Sequence, residues 1–167
     1  MEMNKEDSPD NSRNESKPNS IPRIVPPMYF LAAVIVMGLL NLFIPLGYWL
    51  QLPWKYFGLI PLILGFILSF GSGNLFRRSG TPPRPGVRAT MLVTNGAFRY
   101  TRNPMYLGLI IMLIGVAILL GSYSPLIVIP IVIWILHNKF ILREEKWMEE
   151  WFGDSYLEYK SKTRRWF

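Results

Sequence analysis

The chain has no cysteine and a single histidine, His137. Without thiols there are no disulfides, no thiolate metal sites and no cysteine nucleophile. One imidazole cannot form the histidine cluster of a zinc or di-iron centre. Charge is scarce as well. Only 17% of the 167 residues are charged and 50% are apolar, whereas a soluble domain carries about 25% charge. Acidic groups are the scarcer sign, with 11 against 18 cations and a net charge of +7. The cations flank apolar runs and form no basic face of their own. They therefore read as membrane topology and contacts to anionic headgroups, not as a nucleic-acid surface.

What the chain does have is long apolar runs. A bilayer core of about 30 Å needs roughly 20 helical residues. Residues 28–50 carry no charge and make the first expected span. Asn41 and Pro45 are tolerated there where neighbouring groups satisfy the backbone. Residues 53–71 make the second, with Trp54 and Tyr56 as interfacial anchors beside Lys55. Residues 105–120 and 123–142 form an apolar hairpin that turns at 121–124, with Pro125 and Pro130 in the first half of its second arm. Residues 1–22 are polar, without apolar periodicity, and read as a disordered cytosolic tail preceding a single membrane domain over 23–167. No apolar core follows the start at the distance a cleavable signal peptide requires.

Charge bias orients the spans. Lys and Arg number 4 before the first span, 1 in the first loop, 6 in the second loop, 0 in the hairpin turn and 7 in the C-terminal segment from Lys139 onward. Four spans put 17 of the 18 cations on one side, which the positive-inside rule makes cytoplasmic, with both termini there. The expected fold is an all-α membrane protein of four transmembrane helices, in a multi-pass setting that suits a bacterial inner membrane.

The hairpin joins two polar, aromatic stretches, 92–106 and 143–159, at the cytosolic face. In 143–152 a period of about 100° per residue gathers Trp147, Met148, Trp151 and Phe152 on one side, as in an amphipathic helix lying at the interface. Glu144 falls near the middle of that apolar face, where a carboxylate is costly without a cation or ligand. Two readings stand: an ion pair with an arginine of the second loop, or a contact to a cofactor. Glu145 lies toward the edge and reads as solvated. Leu92 and Val93 read equally well as packing, Tyr106 as an interfacial anchor and His137 as an interfacial residue.

The ordered set R-N-P-M-Y (102–106), an apolar hairpin, E-E (144–145), F-G (152–153) and Y-x-x-Y (156–159) resembles the isoprenylcysteine carboxyl methyltransferase and phospholipid methyltransferase superfamily over about 78–166. That resemblance implies an integral-membrane enzyme that uses S-adenosylmethionine. It places Thr90, Met91, Leu92, Val93, Phe98, Asn103, Pro104, Met105, Tyr106 and Glu144 around the cofactor, with Glu144 also counted as catalytic. Two positions depart from the pattern. Asn103 stands where the eukaryotic members have histidine, so it can orient a ligand but not titrate. Phe140 stands where the family has an arginine one turn before the glutamate. Arg143 is then the candidate for orienting the acceptor, with Lys139, Arg99 and Arg102 as the other nearby cations. Tyr156 and Tyr159 are expected to brace the tail against the second loop, and Lys162, Arg164, Arg165 and Trp166 to anchor it to headgroups.

Methyl transfer from a sulfonium is a direct displacement, so no metal or covalent nucleophile is implied, and catalysis rests on proximity and orientation. The implied acceptor is lipophilic, a prenylcysteine-like carboxylate or a lipid headgroup, entering from the membrane. Gly108 and Gly115 could open a groove for it or mark close helix packing. The alternatives are an NADPH-dependent enzyme like the membrane sterol reductases, which carry a similar Y-x-x-Y tail, and a non-enzymatic lipid-binding membrane protein.

Overall fold

The structure is a computed structural model and describes residues 25–80 and 89–166. The expected tail over 1–22 lies outside the described residues, as does the proline-rich middle of the second loop.

Helix α1 spans Pro26–Phe43, with proline in its first turn, where no backbone donor is needed. The apolar run 28–50 is therefore not one helix. Pro45 cannot continue the hydrogen-bond ladder, and residues 44–53 instead fold over the hairpin turn. Trp49 N donates to Gly121 O (3.0 Å) and Tyr123 N to Gly47 O (3.2 Å). Trp49 Nε1 donates to Ser122 O (3.1 Å), and Ser122 Oγ to Asn41 Oδ1 (2.7 Å). Those side-chain bonds satisfy polar groups that would otherwise be orphaned at that depth.

A 3₁₀ turn at Trp54–Gly58 leads into α2, Leu59–Arg78. The helix runs seven residues past the expected end of the second span and carries Phe76 toward the site. Helix α3, Pro104–Leu120, begins on Pro104 and stops at Gly121, a left-handed residue (φ +72°). It is buried on almost every side, from Tyr106 through Ile110 and on to Met112, Leu113 and Ala117.

The last long element was expected as a span followed by a separate helix at the interface. It is one helical run, Ser124–Phe152. A 3₁₀ turn at Ser124–Ile127 leads to α4 (Val128–Leu136), a π-helical turn (His137–Ile141) and α5 (Leu142–Phe152). No glycine or proline lies between Ile131 and Phe152, so nothing in the sequence breaks the helix. The wide turn sets the phase at which Glu144 and Glu145 leave it. Gly153 (φ +51°) ends α5, and α6, Asp154–Lys162, follows.

Three helices are long and apolar enough to cross a membrane, Pro26–Phe43, Trp54–Arg78 and Ser124–Phe152; α3 is apolar but shorter, at 17 residues. Their outer faces are greasy. Leu31, Ile35, Leu39 and Leu42 of α1, Ile60, Ile63, Ile67 and Phe70 of α2, and Ile127, Ile131 and Trp134 beside α4 are all exposed. Rows of exposed apolar side chains at helical spacing suit contact with acyl chains.

Helices α2 and α3 meet through glycines. A Cβ on Gly65 would lie 2.5 Å from Gly108 O, and one on Gly108 would lie 2.6 Å from Gly65 O. Gly58 and Gly115 oppose each other in the same way, at 2.5 and 2.7 Å. The obstacles are backbone atoms, which cannot swing aside. Close packing, not a groove, is thus what these glycines provide. Gly108→Leu is expected to prevent assembly of the bundle, whereas Gly38→Ala, at a site with no atom within 4 Å of the added methyl, leaves it intact. Thermal unfolding of the two variants in detergent checks this; a Gly108→Leu protein melting like wild type contradicts it.

Candidate active site

The loop that leads to α3 is folded inward by its own apolar residues. Val93 and Phe98 are buried, and Phe98 packs on Phe76 of α2 with ring centroids 5.0 Å apart. Met105 and Met148 close over this cluster. The chain then runs extended through Thr101–Asn103 beside the C-terminal tail. Arg102 N donates to Arg164 O (2.9 Å). Thr101 Oγ1 and Asn103 Nδ2 both donate to Arg165 O (3.0 and 3.1 Å). Tyr159 Oη donates to Phe98 O (2.6 Å), so Tyr159 does brace the tail against the second loop.

Two adjacent carboxylates enter this region from α5. Tyr106 Oη donates to Glu144 Oε1 (2.6 Å). Glu145, read from the sequence as solvated, is 6% exposed and sits deeper. Arg165 Nε donates to its Oε1 (2.9 Å) and Arg165 Nη2 to its Oε2 (2.7 Å). Arg102 Nη1 lies 3.3 Å from Oε1. The ion pair considered for Glu144 is therefore made by its neighbour. The helical-face argument missed this because it supposed lipid and water on either side of α5, whereas the returning tail and the loop before α3 cover the Glu145 side. Arg165 is correspondingly not a free headgroup contact, and its hydrogen bonds to Glu145 hold its pKa above the usual arginine value. Burial raises the phenols of Tyr156 and Tyr159 as well, so both remain neutral at physiological pH.

Between these groups lies an open cavity. Leu92, Val93, Phe98 and Asn103–Tyr106 line one side, and Glu144, Glu145 and Met148 the other. Phe76, Arg102, Tyr156 and Tyr159 complete it. Of the residues singled out from the sequence, these loop, α3 and Glu144 positions converge. Thr90 and Met91 do not line it: both are exposed, and Thr90 Oγ1 donates to Gly80 O (3.3 Å). Arg143 is exposed and also outside the lining. Phe140 is 3% exposed, packed edge-on against Tyr29 and tilted against Tyr106. No cation occupies its place. Glu145, Phe76 and Met148 were not anticipated at the cavity; Met148 was at least placed on the same helix face as the aromatic residues.

A bundle of apolar helices with an open, charged and aromatic cavity at one end marks an integral membrane protein. Residues 54–155 match the phospholipid methyltransferase family model, and the chain belongs to that family. It is 36% identical over 73 residues to a protein-S-isoprenylcysteine O-methyltransferase of Schizosaccharomyces pombe, covering 44% of this chain and 31% of that protein. It is 32% identical over 109 residues to protein-S-isoprenylcysteine O-methyltransferase B of Arabidopsis thaliana, covering 64% and 55%. The chain thus spans about a third to a half of the length of these relatives. Its fold resembles the solved eukaryotic intramembrane Ras methyltransferase, an isoprenylcysteine carboxyl methyltransferase, with a TM-score of 0.63 at 21% identity over 84% of this chain and 51% of that one.

Removing the charge of Glu145 leaves two arginines around an uncharged group. Glu145→Gln is expected to cost about 3 kcal/mol of stability, read as a fall in melting temperature. Glu158→Gln removes a fully exposed partner of Lys162 and is expected to change little. Equal stability of the two variants contradicts a buried ionic cluster.

Proposed function

We propose that this protein transfers a methyl group from S-adenosylmethionine to a lipophilic acceptor at the cytosolic face of the membrane, the preferred acceptor being a prenylcysteine-like carboxylate and the second a lipid headgroup. The observation that carries the reading is the meeting of the Asn103–Tyr106 turn with Glu144 in one open cavity, fixed by the 2.6 Å Tyr106–Glu144 hydrogen bond. These are the residues that the family resemblance assigns to the cofactor, and they come from segments almost forty residues apart.

The side chains fit that cofactor. Glu144 offers negative charge, and Phe98, Tyr106, Tyr156 and Tyr159 offer aromatic faces, a combination that attracts a sulfonium or ammonium group. Arg102 has buried donors without acceptors, suited to a carboxylate. When bound, S-adenosylmethionine supplies a methyl carbon on a positive sulfur, open to direct displacement by a lone pair of the acceptor. The protein's part is to hold and orient. Tyr106 fixes the Glu144 carboxylate, while Val93, Phe98 and Met148 provide the apolar wall that limits water. The relatives' names specify isoprenylcysteine, and a membrane-dissolved acceptor suits a cavity at the end of a helix bundle. Access between α2 and α3 is closed by the glycine contacts, so a lipid tail enters elsewhere along the open cavity.

Counting α3 as a fourth crossing puts both chain ends on the side of the site. The stacked Trp147 and Trp151 (6.1 Å) then lie at interfacial depth. Cysteines at Tyr123 and Ser161, both exposed, are expected to react with an impermeant thiol reagent only at 123 in intact cells. Labelling at 161 reverses the orientation.

The purified protein in lipid is expected to move tritiated methyl from S-adenosylmethionine onto N-acetyl-S-farnesylcysteine or onto a phospholipid amine. No transfer to either by folded protein opposes the reading. Glu144→Gln is expected to weaken S-adenosylhomocysteine binding by about 1.5–3 kcal/mol, whereas Glu149→Gln, at a surface pair with Lys160, leaves it within twofold. Equal losses by calorimetry sink the role of Glu144.

A further inference from the structure

Two arginines meet the carboxylate of Glu145. Arg165 already occupies both carboxylate oxygens, one with Nε and one with Nη2. Arg102 is a second cation on the same carboxylate, 3.3 Å away through Nη1. Its side chain is only 9% exposed, yet neither Nε nor Nη1 has a hydrogen-bond acceptor among the described residues. The other carboxylate of the cavity, Glu144, accepts from Tyr106. Two carboxylates thus meet two guanidiniums, and what is left over is a donor, the buried Nε–H of Arg102, on a side chain that lines the cavity. A buried donor without an acceptor is unfavourable until one joins it. Nη1 is turned to Glu145 and does not share an edge of the guanidinium with Nε–H, so Nε–H offers a single charge-assisted donor to one carboxylate oxygen. Bonds to the tail from Arg102 N and from the Thr101 and Asn103 side chains fix the segment, so the backbone that carries Arg102 is held in place before a ligand arrives.

We infer that Arg102 is the carboxylate-binding residue of the cavity and donates its unpartnered Nε–H to the carboxylate of a bound ligand. The inference rests on the methyltransferase reading for its ligands. That reading supplies two sources of the same chemistry, the amino-acid end of the methyl donor and the free carboxylate of a prenylcysteine acceptor. Arg143, on the exposed side of α5, does not serve this role.

Two ligand pairs separate the sources in equilibrium binding to the full-length protein in detergent. S-adenosylhomocysteine and 5′-methylthioadenosine share a nucleoside thioether, but only the first has a carboxylate. N-acetyl-S-farnesylcysteine and its carboxamide differ in the same way on the acceptor side. Wild type is expected to prefer the carboxylate ligand in at least one pair by tenfold or more. Arg102→Gln is expected to erase that preference while leaving affinity for the neutral ligand within about twofold. Arg102→Lys, which keeps the charge beside Glu145 but not the Nε–H, is expected to retain part of it. Loss within the first pair assigns the donor, and loss within the second assigns the acceptor. Equal weakening of carboxylate and neutral ligands, or no change in any of the four, overturns the inference and leaves Arg102 a structural partner of Glu145. If the glutamine variant does not fold, wild type decides: no carboxylate preference in either pair is equally fatal. Failure of the methyltransferase reading looks different, since wild type then binds neither nucleoside, while the acid and amide pair still reports on Arg102.

Discussion

The buried carboxylate of Glu145 is the contact on which the rest of the site depends. It draws Arg165 of the tail and Arg102 of the loop before α3 onto α5, so three segments distant in sequence become the floor of one cavity. Backbone pairing of residues 101–103 with 164–165 would be a weak association alone. The ion cluster beneath it, partly withdrawn from water, gives it direction and register. Glu144, one residue earlier, is left facing the opposite wall, where Tyr106 takes it. One carboxylate paired with arginines and one bonded to Tyr106 thus arise from a single E-E dipeptide, because adjacent helix positions point about 100° apart.

The scaffold under this cluster is stiff for a different reason. In an apolar solvent, helices gain little from hiding apolar surface, so close van der Waals contact must hold them. The opposed glycines of α2 and α3 bring the backbones together and place the beginning of α3, with Asn103–Tyr106, against the end of α2, with Phe76. The far end of the bundle is closed by the fold of residues 44–53 over the hairpin turn. The other end, where α2 finishes and α3 begins, carries the cavity.

Much of this was legible in the sequence. The apolar runs, the hairpin and the convergence of 92–106 with the start of α5 followed from run lengths and charge positions. Glu144 stood out as a carboxylate on an apolar face and does line the cavity. Other features needed tertiary structure. The end of α1 at Phe43 is set by Pro45 and by contacts to Ser122 and Gly121, eighty residues away. The continuity of α4 with α5 turns on a π-helical turn that no residue pattern announces. Glu145 looked solvated because periodicity describes one helix and says nothing of a tail that returns to cover it. Arg102 was one cation among four until burial and missing acceptors set it apart from the exposed Arg143. Phe140, in an arginine's place by family resemblance, proves to be core, which moves the search for an acceptor-binding cation to another element.

The most direct test of the account is covalent capture of the donor at the cavity. Ultraviolet irradiation of the purified protein with methyl-tritiated S-adenosylmethionine, followed by peptide mapping, is predicted to place label in the segments 92–106 and 144–159, with excess unlabelled S-adenosylhomocysteine suppressing it. Competable label confined to α1 or to the hairpin turn at the opposite end of the bundle would contradict the account.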